Sequence, residues 1–112
     1  IIRGGKNISA PAVEAEVATH PAVALAAALP LPDPVFGERV CIYVELRPGA
    51  DAFSLDQLCE HLGARGVSRE WFPERLIFVD ELPRASGGKI AKNALRSDLE
   101  SRLSDEDLSH EP

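Results

Sequence analysis

The 112 residues suit one domain with a modest core, and 45% hydrophobic and 27% charged content is ordinary for a soluble globular protein. No apolar run approaches the roughly 20 residues of a membrane span, and a net charge of -6 argues against a general nucleic-acid surface. Two cysteines, Cys41 and Cys59, are too few and too scattered for a metal cluster or a disulfide framework, so both are read as reduced, core-facing thiols of a cytoplasmic protein.

The chain opens on IIRGG and contains no methionine, so its first residue is not a translation start and it is expected to be a piece of a longer protein. IIRGGKN looks like the end of a strand entering a turn at Gly4 and Gly5. In NISAPAVEAEVATHP, Ser9 is placed to cap a short helix, Pro11 is tolerated in its first turn, Val13 and Val17 share a face, and Pro21 stops the run. AVALAAALPLPDP is apolar throughout and suits a buried strand or a helix; Pro30, Pro32 and Pro34 favour a strand leading into a loop. RVCIYVEL alternates as a strand, with Val40, Ile42, Val44 and Leu46 on one face and Cys41, Tyr43 and Glu45 on the other. After the turn RPGAD, Ser54 and Gln57 stand at capping-box spacing, Leu55, Leu58 and Leu62 share a helical face, and Gly63 to Gly66 end the helix. RLIFVDELP supplies another strand, closed by Pro83. Directly after the glycines of LPRASGGK, helical spacing runs through Ile90, Ala94, Leu95, Leu99 and Leu103. Residues 104–112, SDEDLSHEP, are too polar to bury and are expected to be disordered. The order predicts a small α+β domain over residues 1–103, a sheet of few strands covered by about three helices.

Charge is unevenly spread. From Arg84 to Arg96 there are four basic residues (Arg84, Lys89, Lys92, Arg96) and no acid, whereas Asp98 to Glu111 carries six acids against Arg102. A local anion site and a solvated helix face beside an acidic tail both fit this pattern. A glycine turn ahead of a helix points free N–H groups and the positive end of the helix dipole at an anion, and Lys89 would add a mobile charge. The phosphate-loop template fails twice, because Pro83 occupies the place of the first glycine and Ile90 that of the metal-binding hydroxyl. What remains is a lysine on a pliable tip, either an ordinary surface lysine or one that enters another domain's active site. His20, His61 and His110 show no metal-ligand spacing.

ELPRASGGKIAKNALR resembles the C-terminal signature of the adenylate-forming enzymes, the superfamily of acyl-CoA synthetases, luciferases and peptide-synthetase adenylation domains. Pro83, Arg84, Gly88, Lys89, Ile90, Lys92, Leu95 and Arg96 fall in register. IIRGGKNIS with the following HPAV is similar to the segment after the family's interdomain hinge, and PDPVFGERVCIYVELRPG to the middle of the same domain; Ala12 and Ala85 depart from its commoner glutamate and threonine. The resemblance implies the mobile C-terminal lid of an ATP-dependent acyl-CoA ligase whose large N-terminal domain is its partner. It implies Lys89 as the adenylation lysine, with Arg84, Gly87 and Gly88 on the nucleotide side. Gly4 and Gly5 are then expected to line a pantetheine channel with Lys6, Asn7 and Arg3 near the CoA phosphates, although an ordinary tight turn also accounts for the glycines. ATP, CoA and a fatty or cyclic carboxylic acid are the implied substrates, with Mg2+ accompanying ATP in the full-length enzyme and not held here. Two alternatives stay open: an adenylation domain that loads a carrier protein, and a stand-alone carrier module bearing a group on Ser54. The 112 residues alone are expected to have no turnover.

Overall fold

The computed structural model describes residues 1–35 and 37–110, the last four through their backbone alone; Phe36 of the PDPVFGERV stretch and Glu111 and Pro112 of the acidic tail lie outside the described residues. Two compact units divide the chain, Ile1–Leu82 and the segment from Pro83 onward.

In the first unit, β1 (Ile2–Arg3) and β2 (Lys6–Asn7) form a hairpin whose two loop residues, Gly4 and Gly5, have φ of 55° and 83°. Two consecutive positive φ angles define the tight turn that matches strand twist, which is why glycines occupy it. Helix α1 (Ala10–Val17) starts as expected: the Ser9 hydroxyl accepts from the Ala12 N–H, Pro11 lies in the first turn, and Val13 and Val17 are buried. Helix α2 (Leu55–Ala64) carries the full capping box, Ser54 accepting from Gln57 N and Gln57 Oε1 accepting from Ser54 N, with Leu58 and Leu62 buried.

The five-stranded sheet is centred on β4 (Gly37–Leu46), which pairs antiparallel with β3 (Val23–Asp33) and, at Gly37, with β1, and parallel with β5 (Arg75–Val79). Strand β3 runs through Pro30 and Pro32 instead of ending ahead of them. It is an edge strand, and at period two the even positions turn their N side away from β4. There Ala28 donates to the Glu14 carboxylate of α1 at 2.8 Å, and the prolines two and four residues on forfeit no ladder bond. The core lies where α1 and α2 meet one sheet face: Val13 and Val17, Leu58 and Leu62, and Val40, Ile42 and Val44 of β4, all 1% exposed or less. Cys41 and Tyr43 on the opposite face of β4 are equally buried, so this strand is hidden on both sides.

A ring cluster joins the ends of α1 and α2. His20 stacks on Phe53 at 4.2 Å and meets His61 edge-on at 5.1 Å, while Thr19 Oγ1 and His61 Nε2 are 2.8 Å apart. His20 Nδ1 accepts from Ala22 N at 3.1 Å. Burial first, and then the nearby His61, hold the His20 pKa below its ordinary 6.5. The folded chain therefore favours neutral His20, so this contribution to stability is complete above about pH 6.5 and is lost as pH falls through the lower folded value. The melting temperature is expected to drop between pH 7 and 5, and to drop less in His20→Asn, whose Oδ1 can accept the same bond without titrating. Equal pH profiles for the two proteins would rule out His20 as the source.

In the second unit, α3 spans Lys92–His110. Its start is two residues later than the spacing from Ile90 predicts. Its end is later too: residues 104–110, expected to be disordered, continue the helix. No glycine or proline interrupts SDEDLSHE, and the Arg102 guanidinium pairs with Asp98 one turn back at 2.7 Å.

Candidate functional site

The segment Pro83–Ala91 folds back on itself. Ala91 N donates to Pro83 O at 2.8 Å, Arg84 and Ile90 form an antiparallel bridge, and Ala85 N donates to Lys89 O at 2.6 Å. Between these arms Ser86–Gly88 make one 3-10 turn, with Gly87 and Gly88 at φ of 79° and 78° and Gly88 N donating to Ala85 O at 3.2 Å. Ile90 and Ala91 are thereby held in the returning arm, which is why α3 cannot begin until Lys92. The glycines therefore do not open the helix themselves: the turn uses the Gly88 N–H on Ala85 O, and α3 begins at Lys92.

Lys89 stands on the returning arm in extended conformation (φ -74°, ψ 147°) and is exposed. Among the described residues its ammonium has no hydrogen-bond or ion-pair partner. Arg84 instead turns onto its own loop, Nη1 donating to Gly88 O at 3.2 Å, and so stiffens the tip. A Cβ at Gly87 or Gly88 would meet nothing within 4 Å; these glycines are needed for their backbone angles, and they leave the tip thin. The loop is therefore a braced finger that carries the Lys89 ammonium unneutralised.

The Gly4–Gly5 hairpin is a different environment. Beside it lies a hollow of about 260 Å³ lined by Arg3, Gly4, Lys6 and Glu70. Lys6 Nζ is 2.8 Å from Glu70 Oε1, and Arg3 Nη2 is 2.7 Å from Glu74 Oε1. The other oxygen of Glu74 takes Arg39 Nη1 at 2.7 Å, and Arg39 Nε bonds the buried Asp33, which also accepts from Val35 N at 2.7 Å. The Asp33 hydrogen bond is the main reason the Arg39 guanidinium is held charged beyond its ordinary range. Asn7 is exposed on β2. Sequence reasoning placed Arg3, Gly4, Gly5, Lys6 and Asn7 together and the structure does so, but it missed Glu70 and Glu74, which arrive from more than 60 residues away.

Elsewhere, a hollow of about 300 Å³ lined by Glu16, Arg65, Gly66, Val67, Ser68 and Trp71 contains no residue singled out from the sequence. Ser54 is committed to its helix cap, its hydroxyl accepting from Gln57 N. Cys41 and Cys59 form no disulfide, and burial pushes the Cys59 pKa up, so it stays protonated; its Sγ donates to Pro73 O at 3.8 Å. No described helix is long and apolar enough to cross a membrane.

Residues 12–89 match the family described as AMP-binding enzyme C-terminal domain. The chain is 36% identical over 103 residues to a medium-chain fatty-acid–CoA ligase of Escherichia coli, covering 92% of this chain and 18% of that protein. It is 46% identical over 96 residues to a salicylyl-CoA synthase / salicylate adenylyltransferase of a Streptomyces species, covering 86% and 17%. The apo structure of MbtA from Mycobacterium smegmatis superposes with a TM-score of 0.78 at 41% identity, over 84% of this chain and 18% of that one. The chain thus spans less than a fifth of the length of each of these relatives.

Proposed function

Since the chain belongs to the AMP-binding enzyme C-terminal domain family, we propose that it is the mobile lid of an ATP-dependent acid–thiol ligase. In that reaction a carboxylate attacks the α-phosphorus of ATP and expels pyrophosphate, and a thiol then displaces AMP from the acyl-adenylate. The observation that carries the proposal is Lys89, an exposed and unpaired ammonium on a braced two-glycine finger. The first step brings two anions together, and a cation delivered between them offsets their repulsion and the charge gathering in the transition state. Lysine suits this delivery because its charge is compact and its stem long. Gly87 and Gly88 let the backbone approach the nucleotide, with Arg84 stiffening the tip. ATP, the acid and Mg2+ would be held by the larger partner domain.

For the acceptor, the relatives named as CoA ligase and CoA synthase support free CoA and a fatty or aromatic acid. A carrier-borne thiol is the second reading, favoured by one feature: Arg3 and Lys6 are already paired with Glu74 and Glu70, so the hairpin offers little surplus positive charge to CoA phosphates. Cys41 and Cys59, which form no disulfide, fit a reducing, cytoplasmic setting.

The test is acid-dependent ATP–pyrophosphate exchange by the full-length enzyme across fatty and aromatic acids, followed by offering CoA or a phosphopantetheinylated carrier. Exchange with at least one acid and thioester on CoA are expected, with no acyl-AMP from the 112 residues alone. Thioester on the carrier only would select the second reading, and no exchange with any acid would defeat both.

A further inference from the structure

We infer that Glu74 is a positioning residue for the thiol half-reaction, acting through Arg3 on the Gly4–Gly5 hairpin; this rests on the reading above, in which that hairpin borders the path of the acceptor's pantetheine arm. The hairpin needs an external anchor. Its strands are two residues each, it joins the sheet at the register pair Arg3↔Gly37, and Ile2 N reaches Glu38 Oε1 at 2.8 Å. So short a ribbon does not hold its own place in water.

Lys6–Glu70 and Arg3–Glu74 both reach it, and they differ in kind. Lys6 and Glu70 have side chains 68% and 48% exposed, a pair of long stems in solvent that fixes little. Arg3 and Glu74 are 22% and 27% exposed. Glu74 is itself held at both ends: its backbone N–H donates to Val40 O at 2.9 Å, which ties it to β4, and its second carboxylate oxygen takes Arg39, whose Nε bonds Asp33 at 1% side-chain exposure. Charges alternate along Asp33, Arg39, Glu74 and Arg3, so the position of the buried end is passed to the residue just ahead of Gly4. Glu74 grips two guanidinium groups, and its removal breaks the link from Arg39 to Arg3 while leaving Asp33 and Arg39 paired.

The experiment uses the full-length enzyme with preformed acyl-adenylate and either CoA or free pantetheine as the thiol. Glu74→Gln should raise the KM for both thiols about tenfold, below the roughly 10²-fold that a full 1 Å misplacement can cost. ATP–pyrophosphate exchange should stay within about twofold, a split that a general loss of folding would not produce. Arg3→Gln should match it, and the double variant should be no worse than either single one, because the two act as a unit. Gly5→Asn, which accepts the positive φ but adds a side chain, tests the underlying reading. If Gly5→Asn raises the thiol KM and Glu74→Gln does not, or if Glu74→Gln depresses both half-reactions alike, the role of Glu74 is refuted and the hairpin reading stands. If Gly5→Asn changes nothing, or the parent forms thioester with neither thiol, the reading falls and the inference with it.

Discussion

Lys89→Ala is expected to lower acid-dependent ATP–pyrophosphate exchange by the full-length enzyme about 10²–10³-fold, the range for removing one group aimed at charge that develops in the transition state. The substitution is a clean one. Lys89 is exposed, its backbone lies in a region any residue adopts, and its main-chain oxygen keeps the bond from Ala85 N whatever the side chain. Loss of exchange therefore cannot be assigned to a collapsed loop. Thioester formation from preformed acyl-adenylate should be retained within about twofold, since no carboxylate then approaches the phosphate. Lys89→Arg should recover only part of the exchange, because a planar guanidinium demands a geometry that a point charge does not. Undiminished exchange in Lys89→Ala would remove the lysine from the mechanism and leave an ordinary surface residue.

Much of this site is local in the chain and so was open to reading. The glycine pairs at 4–5 and 87–88 have positive φ, and the caps at Ser9 and Ser54 are set by residues three positions apart. What escaped reading depends on partners distant in sequence. The alternation in RVCIYVEL separated the two faces of β4, but it does not say that both are buried, since what covers a sheet face is packed there from elsewhere in the chain. Helical spacing from Ile90 is genuine, and here the obstacle is near in sequence: the bridge to Arg84, six residues back, holds Ile90 in the returning arm and outweighs a weak helical preference. Arg3 and Lys6 looked like free cations for a phosphate because Glu74 and Glu70, which neutralise them, lie far along the chain. Charge counted over a local window said nothing of charge paired in space.

The core offers the second large effect. Leu58 is fully buried between α1, α2 and the sheet, whereas Leu55, one turn earlier on the same helical stripe, is only half-buried. The alternation of apolar residues treats the two alike; burial does not. Leu58→Ala removes three carbons from a packed site and leaves a cavity, a change that costs about 2–5 kcal/mol. For a domain of this size that corresponds to a melting-temperature drop of very roughly 4 °C per kcal/mol. Leu55→Ala, already in contact with water, should cost about 1 kcal/mol or less, because only part of its area leaves solvent on folding. Leu58→Met, which conserves volume, should cost under about 1.5 kcal/mol. The order of the three, read from thermal or denaturant unfolding, reports how α2 is rotated about its own axis. If Leu55→Ala proved as damaging as Leu58→Ala, the helix would face the sheet through its first turn. The ring contact of His61 with His20 and its hydrogen bond with Thr19, which fix the helix's other end, could then not hold as they stand.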